Sequence, residues 1–165
     1  MKYSELIADF ARLIGIEGDV AFDDEGVWRI GTEDIVFAFR EIAETDSLLV
    51  YSSIGPLPVT GAESFKTAVL RANFVGQGVP DGAFSLDDDD RVWVHRFFDL
   101  KALDASGLAD AFEGFVELVL NWRRLRESNP DTAEETGRES EEAGREAESP
   151  AAYDNYFNPS GFIRV

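Results

Sequence analysis

Residues 64–78 read Ser-Phe-Lys-Thr-Ala-Val-Leu-Arg-Ala-Asn-Phe-Val-Gly-Gln-Gly, and this stretch predicts a central helix with two apolar sides. One side of the helical wheel carries Phe65, Ala68, Val69 and Ala72. Leu70 and Phe74 fall on a different side. The sheet of the same domain can cover the first side, but a chain of 165 residues has few elements left for the second. We therefore expect a second copy of the chain to cover Leu70 and Phe74.

The segments around this helix predict an α+β domain. An amphipathic first helix is expected from residue 4 to about residue 15, and a long closing helix from about 106 to 127. Alternating apolar residues and turn signals predict antiparallel strands at 27–30, 35–39, 48–51, 83–86 and 91–98. The expected architecture is a twisted antiparallel sheet of about five strands with three helices, in the order α-β-β-β-α-β-β-α.

The composition changes after Glu127, which divides the chain into a domain at 1–127 and a tail at 128–165. The tail begins with a stretch of Glu, Ser, Gly, Arg and Ala that contains no large apolar residue, and this composition is typical of a flexible acidic linker. The end of the tail is aromatic again. Its candidate docking residues are Tyr156, Phe157, Phe162 and Ile163. A disordered tail with scattered aromatic residues is the open alternative.

The charge of the chain excludes several classes of partner. Fifteen Lys and Arg against 33 Asp and Glu give a formal net charge of −18, so nucleic acid and anionic membrane surfaces are repelled. Without cysteine there is no disulfide frame and no thiolate chemistry. No apolar run approaches the ~18 residues that a membrane span requires. We expect a cytoplasmic protein that does not insert into membranes.

The candidate chemistry is sparse. His95 is the single histidine and has no sequence-adjacent serine and no cysteine to form a hydrolytic set with. The run Asp87–Asp90 lacks the glycine and the distal glutamate of a calcium loop, which favours a solvated hairpin tip. Gly76-Gln77-Gly78 follows its helix, where the dipole disfavours phosphate, and is expected to end the helix. We predict no enzyme, no cofactor and no metal.

The order of elements, together with four sequence stretches, resembles the CesT/Tir-chaperone family of bacterial type III secretion chaperones. The stretches are Leu48-Leu49-Val50-Tyr51-Ser52-Ser53-Ile54-Gly55, Leu70-Arg71-Ala72-Asn73-Phe74-Val75-Gly76-Gln77-Gly78, Ala83-Phe84-Ser85-Leu86-Asp87, and the closing helix with Phe115-Val116 and Trp122. The resemblance covers roughly residues 4–127. The tail after Glu127 departs from the family pattern.

The resemblance implies a homodimer in which the central helix and the following strand form the contact, here Leu70, Phe74 and Phe84. It also implies that the protein binds the non-globular N-terminal segments of secreted effectors, keeps them competent for secretion and delivers them to the apparatus, whose ATPase is a further candidate partner.

We place client binding on apolar surfaces near the N-terminal half of the sheet. The residues are Leu6, Phe10 and Leu13 of the first helix and Val36, Ala38 and Ile42 of the second strand. The first three can equally be ordinary core, since an amphipathic helix must bury its stripe.

Two rival functions remain open. An acidic immunity or adaptor protein would bind one folded partner stoichiometrically, whereas a chaperone would hold its client unfolded. A small enzyme is the third alternative.

Overall fold

A computed structural model describes residues 3–16 and 18–128, and its architecture is a five-stranded antiparallel sheet with three helices packed on one face. The strands are β1 (Val27–Gly31), β2 (Val36–Ile42), β3 (Ser47–Pro56), β4 (Gly82–Leu86) and β5 (Arg91–Asp99). Their order across the sheet is β1-β2-β3-β5-β4. The predicted fold class and element order are confirmed.

The helices are α1 (Tyr3–Leu13), α2 (Ala62–Ala72) and α3 (Ala105–Glu127). The central helix α2 ends earlier than the glycines Gly76 and Gly78 predicted. Its C-cap is Asn73, whose side-chain amide bonds to both backbone groups of Phe84 in β4. A short turn at Phe74–Gly76 follows, and Val75 departs from helical geometry there with a left-handed φ of 54°.

One half of the core is a cluster of aromatic rings between α1, α3 and the first two strands. Phe10 of α1 packs against Trp28, Phe39 and Phe112, with ring centroids 5.5–6.0 Å apart. Phe37 joins the cluster through Phe112 at 5.0 Å. Offset and edge-on contacts of this kind add about 0.5–1.5 kcal/mol per pair to the burial itself. The first helix is therefore tied firmly to the sheet.

The other half of the core links α2, α3 and β4. Trp122 of α3 lies 5.8 Å from the ring of Phe65 and 4.5 Å from the ring of Phe84. Asp104 caps the start of α3 by accepting a hydrogen bond from the backbone N–H of Gly107 at 2.8 Å. The long helix thus spans both halves of the core and leaves the opposite face of the sheet uncovered by helices within residues 3–16 and 18–128.

No helix in the described part of the chain combines the length and apolar character that crossing a membrane would need.

Candidate binding surfaces

The face of the sheet away from the helices carries a row of aligned side chains. The strand register places Ala38 beside Arg29 and Tyr51, and Tyr51 beside His95. Two ring contacts run along this row, Tyr51 with Trp93 at 6.2 Å and His95 with Phe97 at 5.5 Å. We call this surface the open sheet face and define it by Val36, Ala38, Leu49, Tyr51, Trp93, His95 and Phe97.

The open sheet face is apolar and partly accessible. Val36 is 45% exposed and Phe97 is 43% exposed, while Tyr51 and Trp93 are half-buried. Apolar side chains in such numbers on one sheet face are typical of a surface that another chain covers. Its residues alternate along β5 with the core residues Val92 and Val94.

A groove of about 370 Å³ crosses the end of the open sheet face where α3 ends. Its lining contains four arginines, Arg29, Arg91, Arg123 and Arg126, and we call it the arginine groove. It also contains Val36, Ala38, Tyr51 and Trp93, so guanidinium groups lie beside apolar and aromatic side chains. Asp34 is the carboxylate in the lining.

The backbone of β3 holds two of these arginines. Arg123 Nη1 donates to the carbonyl of Asp34 at 2.9 Å and to that of Ser53 at 3.5 Å. Arg126 packs on Gly55, where the φ is +121° and an added Cβ would lie 2.7 Å from Arg126 Nη1. Arg126 packs where the register of β3 shifts between Ser53 and Gly55, an irregularity typical of a β-bulge. The C-terminal turns of α3 therefore deliver positive charge to the open sheet face.

A second surface lies on the outer side of α2. Leu70 is 69% exposed, Phe74 is 67% exposed and Val75 is 81% exposed, and we call these three residues the helix patch. Phe65, Val69 and Ala72 of the same helix are buried in the core. The first predicted side of the central helix is buried, and the second consists of Leu70 on α2 and Phe74 in the turn that follows, both exposed in the single chain.

Three of the predicted binding residues need correction, because the chain buries them itself. Leu6 and Phe10 are 1% and 0% exposed and belong to the core, so they offer no surface to a client. Phe84 is 5% exposed and packs on Trp122, which leaves almost none of it for a dimer contact. Amphipathic and alternating patterns show that a residue is buried without showing what buries it.

The other predicted client-binding residues keep some access to solvent, with one exception. Leu13 at the end of α1 is 57% exposed, and Ile42 at the end of β2 is half-buried. Ala38 is 4% exposed and lies on the floor of the open sheet face beside Tyr51. The predicted docking residues Tyr156, Phe157, Phe162 and Ile163 lie outside the described residues.

The two edges of the sheet differ in their readiness to pair with another strand. At the β4 edge the amide of Asn73 accepts from the Phe84 N–H at 2.8 Å and donates to the Phe84 carbonyl at 3.0 Å. This contact satisfies the two backbone groups that Phe84, the middle residue of β4, turns toward the edge. At the other edge, β1 has β2 as its strand partner in the described sheet, and Val27 bonds to Asp23. The open edge therefore runs along β1 from Trp28 onward.

Two ionisable groups near the open sheet face have shifted pKa values. Burial lowers the pKa of His95, so its imidazole favours the neutral form. The pKa of Asp87 is lowered because its carboxylate accepts from Trp93 Nε1 at 2.7 Å and from the Arg91 N–H at 2.9 Å. Asp87 thus organises the hairpin tip and orients Trp93. Within the described residues, no group of three or more histidine or acidic side chains is arranged to hold a metal.

The sequence interpretation missed Tyr51, Trp93 and Phe97 as surface residues and missed the arginine groove altogether. The sequence does contain a pattern that bears on Trp93 and Phe97, because Trp93, His95 and Phe97 alternate along β5 with Val92 and Val94. Both sets are apolar, so alternation alone does not say which faces the helices. The groove gave no signal, since its arginines are separated by up to 97 positions in the sequence.

A model of the Tir chaperone protein (CesT) family matches residues 5–123. The chain belongs to this family. The match spans all of the strands and most of α3, and the family is one of chaperones rather than of enzymes. No curated protein matches this CesT-family chain by sequence.

Solved structures share the fold of this CesT-family chain at low identity. The type III secretion chaperone SycH of Yersinia pestis, in complex with a stable fragment of YscM2, is 22% identical with a TM-score of 0.59, covering 73% of this chain and 99% of that chain. The HopA1–SchA chaperone–effector complex gives 17% identity and a TM-score of 0.60, over 74% of this chain and 93% of that chain. The ExsC–ExsE complex gives 22% identity and a TM-score of 0.56, over 74% and 92%.

Proposed function

We propose that this protein is a type III secretion chaperone that holds the non-globular N-terminal region of effector proteins on its open sheet face and delivers it to the secretion apparatus. The observation that carries the proposal is an apolar, aromatic sheet face that no helix covers within the described residues, in a chain of the CesT family. We place this binding in the bacterial cytoplasm.

Holding an unfolded client requires apolar contacts and backbone pairing rather than catalysis. Side chains of an extended client would pack between Val36, Trp93 and Phe97, each fully buried apolar side chain contributing about 1.5–3 kcal/mol. The client backbone would pair with the β1 edge, because Asn73 already occupies the β4 edge at Phe84. A client bound in this way keeps its apolar anchors out of water without forming its own core.

A homodimer fits the same function. The helix patch of one chain would meet the helix patch of its partner, so that each dimer presents two open sheet faces to one long client segment. Among the structural relatives, SchA is solved in a complex with HopA1 and ExsC in a complex with ExsE. We extend the binding of an effector from the HopA1–SchA chaperone–effector complex to this chain.

The aromatic end of the tail belongs to the proposed delivery step. Tyr156, Phe157, Phe162 and Ile163 would dock on an apolar patch of the dimer or on a component of the secretion apparatus such as its ATPase.

A matched pair of substitutions tests the client site. Val36→Asp places a charge on the open sheet face, whereas Val59→Asp makes the same change at a fully exposed position outside it. With the N-terminal region of a co-purifying secreted protein as ligand, Val36→Asp is expected to weaken binding at least about tenfold, which corresponds to about 1.4 kcal/mol. Val59→Asp is expected to leave binding unchanged.

Calorimetric titration of both variants gives the comparison directly. Equal affinity of the two variants would remove the open sheet face from the client site. Hydrogen exchange on the complex would then show which surface the client does protect.

A further inference from the structure

The arginine groove is rich in positive charge, whereas the whole chain is strongly acidic. The chain has a net charge of −18, yet four guanidinium groups converge on one groove of about 370 Å³. The carboxylates around them are few. Asp34 shares the lining, Asp23 bonds to Arg29, and Glu127 pairs with Arg126 at 3.2 Å.

Arg29 and Arg126 each form a salt bridge, whereas Arg91 and Arg123 form none with the described residues. Arg123 bonds to two backbone carbonyls, and Arg91 Nη1 lies 3.4 Å from the Ser53 hydroxyl. The Asp87 carboxylate interacts electrostatically with Arg91. The same carboxylate accepts a hydrogen bond from Trp93 Nε1. The Nε atom of Arg126 is buried and has no hydrogen-bond partner in the described structure. The groove is therefore built to receive an anionic group beside an aromatic ring.

The sequence carries an anionic segment directly after α3, the helix whose last turns line this groove. Arg126 lines the groove, and the described helix ends at Glu127. Residues 129–149 follow, with eight acidic and two basic residues and no large apolar side chain. The charge of this segment complements the arginine groove, and its first residue is three positions from Arg126.

We propose that the acidic segment 129–149 occupies the arginine groove of its own chain. A coil of 21 residues spans roughly 5–6 Å × √n, or about 25 Å, which is enough to pass over Arg126, Arg123 and Arg91 in turn. The tether holds the segment at an effective concentration of about the millimolar range. Weak individual contacts to guanidinium groups then suffice for occupancy.

The arginine groove overlaps the open sheet face. Val36 and Ala38 belong both to the groove lining and to the open sheet face, so the acidic segment and a client compete for the same surface. A client that reaches these residues displaces the segment. The contact itself exists without any client and can be tested in the chain alone, so its failure leaves the proposed chaperone function untouched.

The test uses the full chain, which contains no cysteine and accepts a single label. A nitroxide on Ser140→Cys lies within the acidic segment, and its paramagnetic broadening reports which amides it approaches. The proposal predicts loss of amide signal at Val36, Ser53 and Trp93. The loss should be reversed by Arg123→Glu and by about 1 M NaCl, in which charges are screened beyond about 3 Å.

Arg124→Glu is the matched control, because Arg124 neighbours Arg123 on α3, is exposed and does not line the groove. It should leave the broadening in place. Broadening that is absent from the groove, that is equal in the Arg123→Glu and Arg124→Glu variants, or that arises only between differently labelled chains in a mixture would overturn the proposal. In those cases the groove would be assigned to a client carboxylate or to the tail of a second copy.

Discussion

At the scale of single residues, Asn73 connects the central helix to the edge of the sheet. Its carboxamide makes two hydrogen bonds to Phe84, one as donor and one as acceptor, just where α2 ends. A helix-ending glycine would stop the chain equally well but could not pair with β4. Asn73 thus caps the end of α2, holds β4 at Phe84 and occupies the outward-facing backbone groups of that residue.

Replacing Asn73 by Ala is expected to destabilise the fold by about 2 kcal/mol, because two part-buried backbone groups of Phe84 lose their partner. Urea unfolding followed by tryptophan fluorescence measures the free energy of unfolding. Asn121→Ala is the control, since the Asn121 side chain bonds to Arg124 on the exposed side of α3. Similar losses in the two variants would contradict the structural role of Asn73.

His95 gives the fold a pH dependence of known sign. Burial lowers its pKa in the folded chain below the ordinary 6.5, so the unfolded chain takes up the proton first as the pH falls. The contribution of the neutral imidazole to stability is therefore lost as the pH drops below about 6.5. Unfolding midpoints measured between about pH 7.5 and pH 5 should fall less in His95→Gln than in the wild-type chain.

The same substitution tests whether the histidine is needed for function. His95 lies on the open sheet face beside Tyr51 and Phe97. Because glutamine is uncharged and similar in size to a neutral imidazole, His95→Gln is expected to preserve this surface and to keep client binding at neutral pH. If the unfolding midpoints of His95→Gln and of the wild-type chain fall equally between about pH 7.5 and pH 5, the His95 ring is not desolvated in the folded chain. A folded variant that binds its client but no longer supports secretion would give His95 a role that its neighbours do not explain.

At the scale of elements, the central helix shows what a sequence pattern can and cannot establish. Leu70 and Phe74 were predictable as an exposed second side, because their angular position separates them from Phe65, Val69 and Ala72. Phe84 was not predictable as core, because the Trp122 ring that covers it comes from a helix 38 positions away. Local periodicity identifies apolar faces, while their partners depend on tertiary packing.

The double variant Leu70→Asp, Phe74→Asp is expected to convert a homodimer to monomers. Burying these two exposed side chains in each subunit would contribute on the order of 3–6 kcal/mol before association costs, and two carboxylates remove that gain. Light scattering coupled to size-exclusion chromatography gives the mass. The control is Leu13→Asp, Val59→Asp, which adds the same charge at exposed apolar positions outside the helix patch. A wild-type chain that is monomeric, or a helix-patch variant that stays dimeric, would contradict the proposed interface.

At the scale of the whole molecule, the sequence predicted the fold and the β2 part of the open sheet face, Val36 and Ala38, but it did not predict the part on β3 and β5. Element order and strand number follow from the change between periods of 3.6 and 2, and the structure reproduces them. The strands of this sheet are apolar on both sides, as in Trp93 beside Val92 and Val94. Only the position of the three helices shows which side is left uncovered, and that position is set by the aromatic core around Phe10 and Trp122.

The large acidic charge and the arginine groove act at the same scale. A net charge of −18 limits nonspecific association of a molecule that exposes apolar surface. The groove concentrates the opposite charge at one end of that surface, so we expect a bound segment to be selected by both its apolar side chains and its carboxylates.

The central claim is that the chain binds its client in an unfolded state, and the spectrum of a bound client tests it most directly. The N-terminal region of a co-purifying secreted protein, isotopically labelled, would be recorded by NMR with the unlabelled chain. The amide shifts of the bound client are expected to stay within the narrow range of extended chains, and the client is expected to be protected from protease. A widely dispersed spectrum from a client that keeps its own folded core in the complex would contradict the account and favour a protein that captures one folded partner.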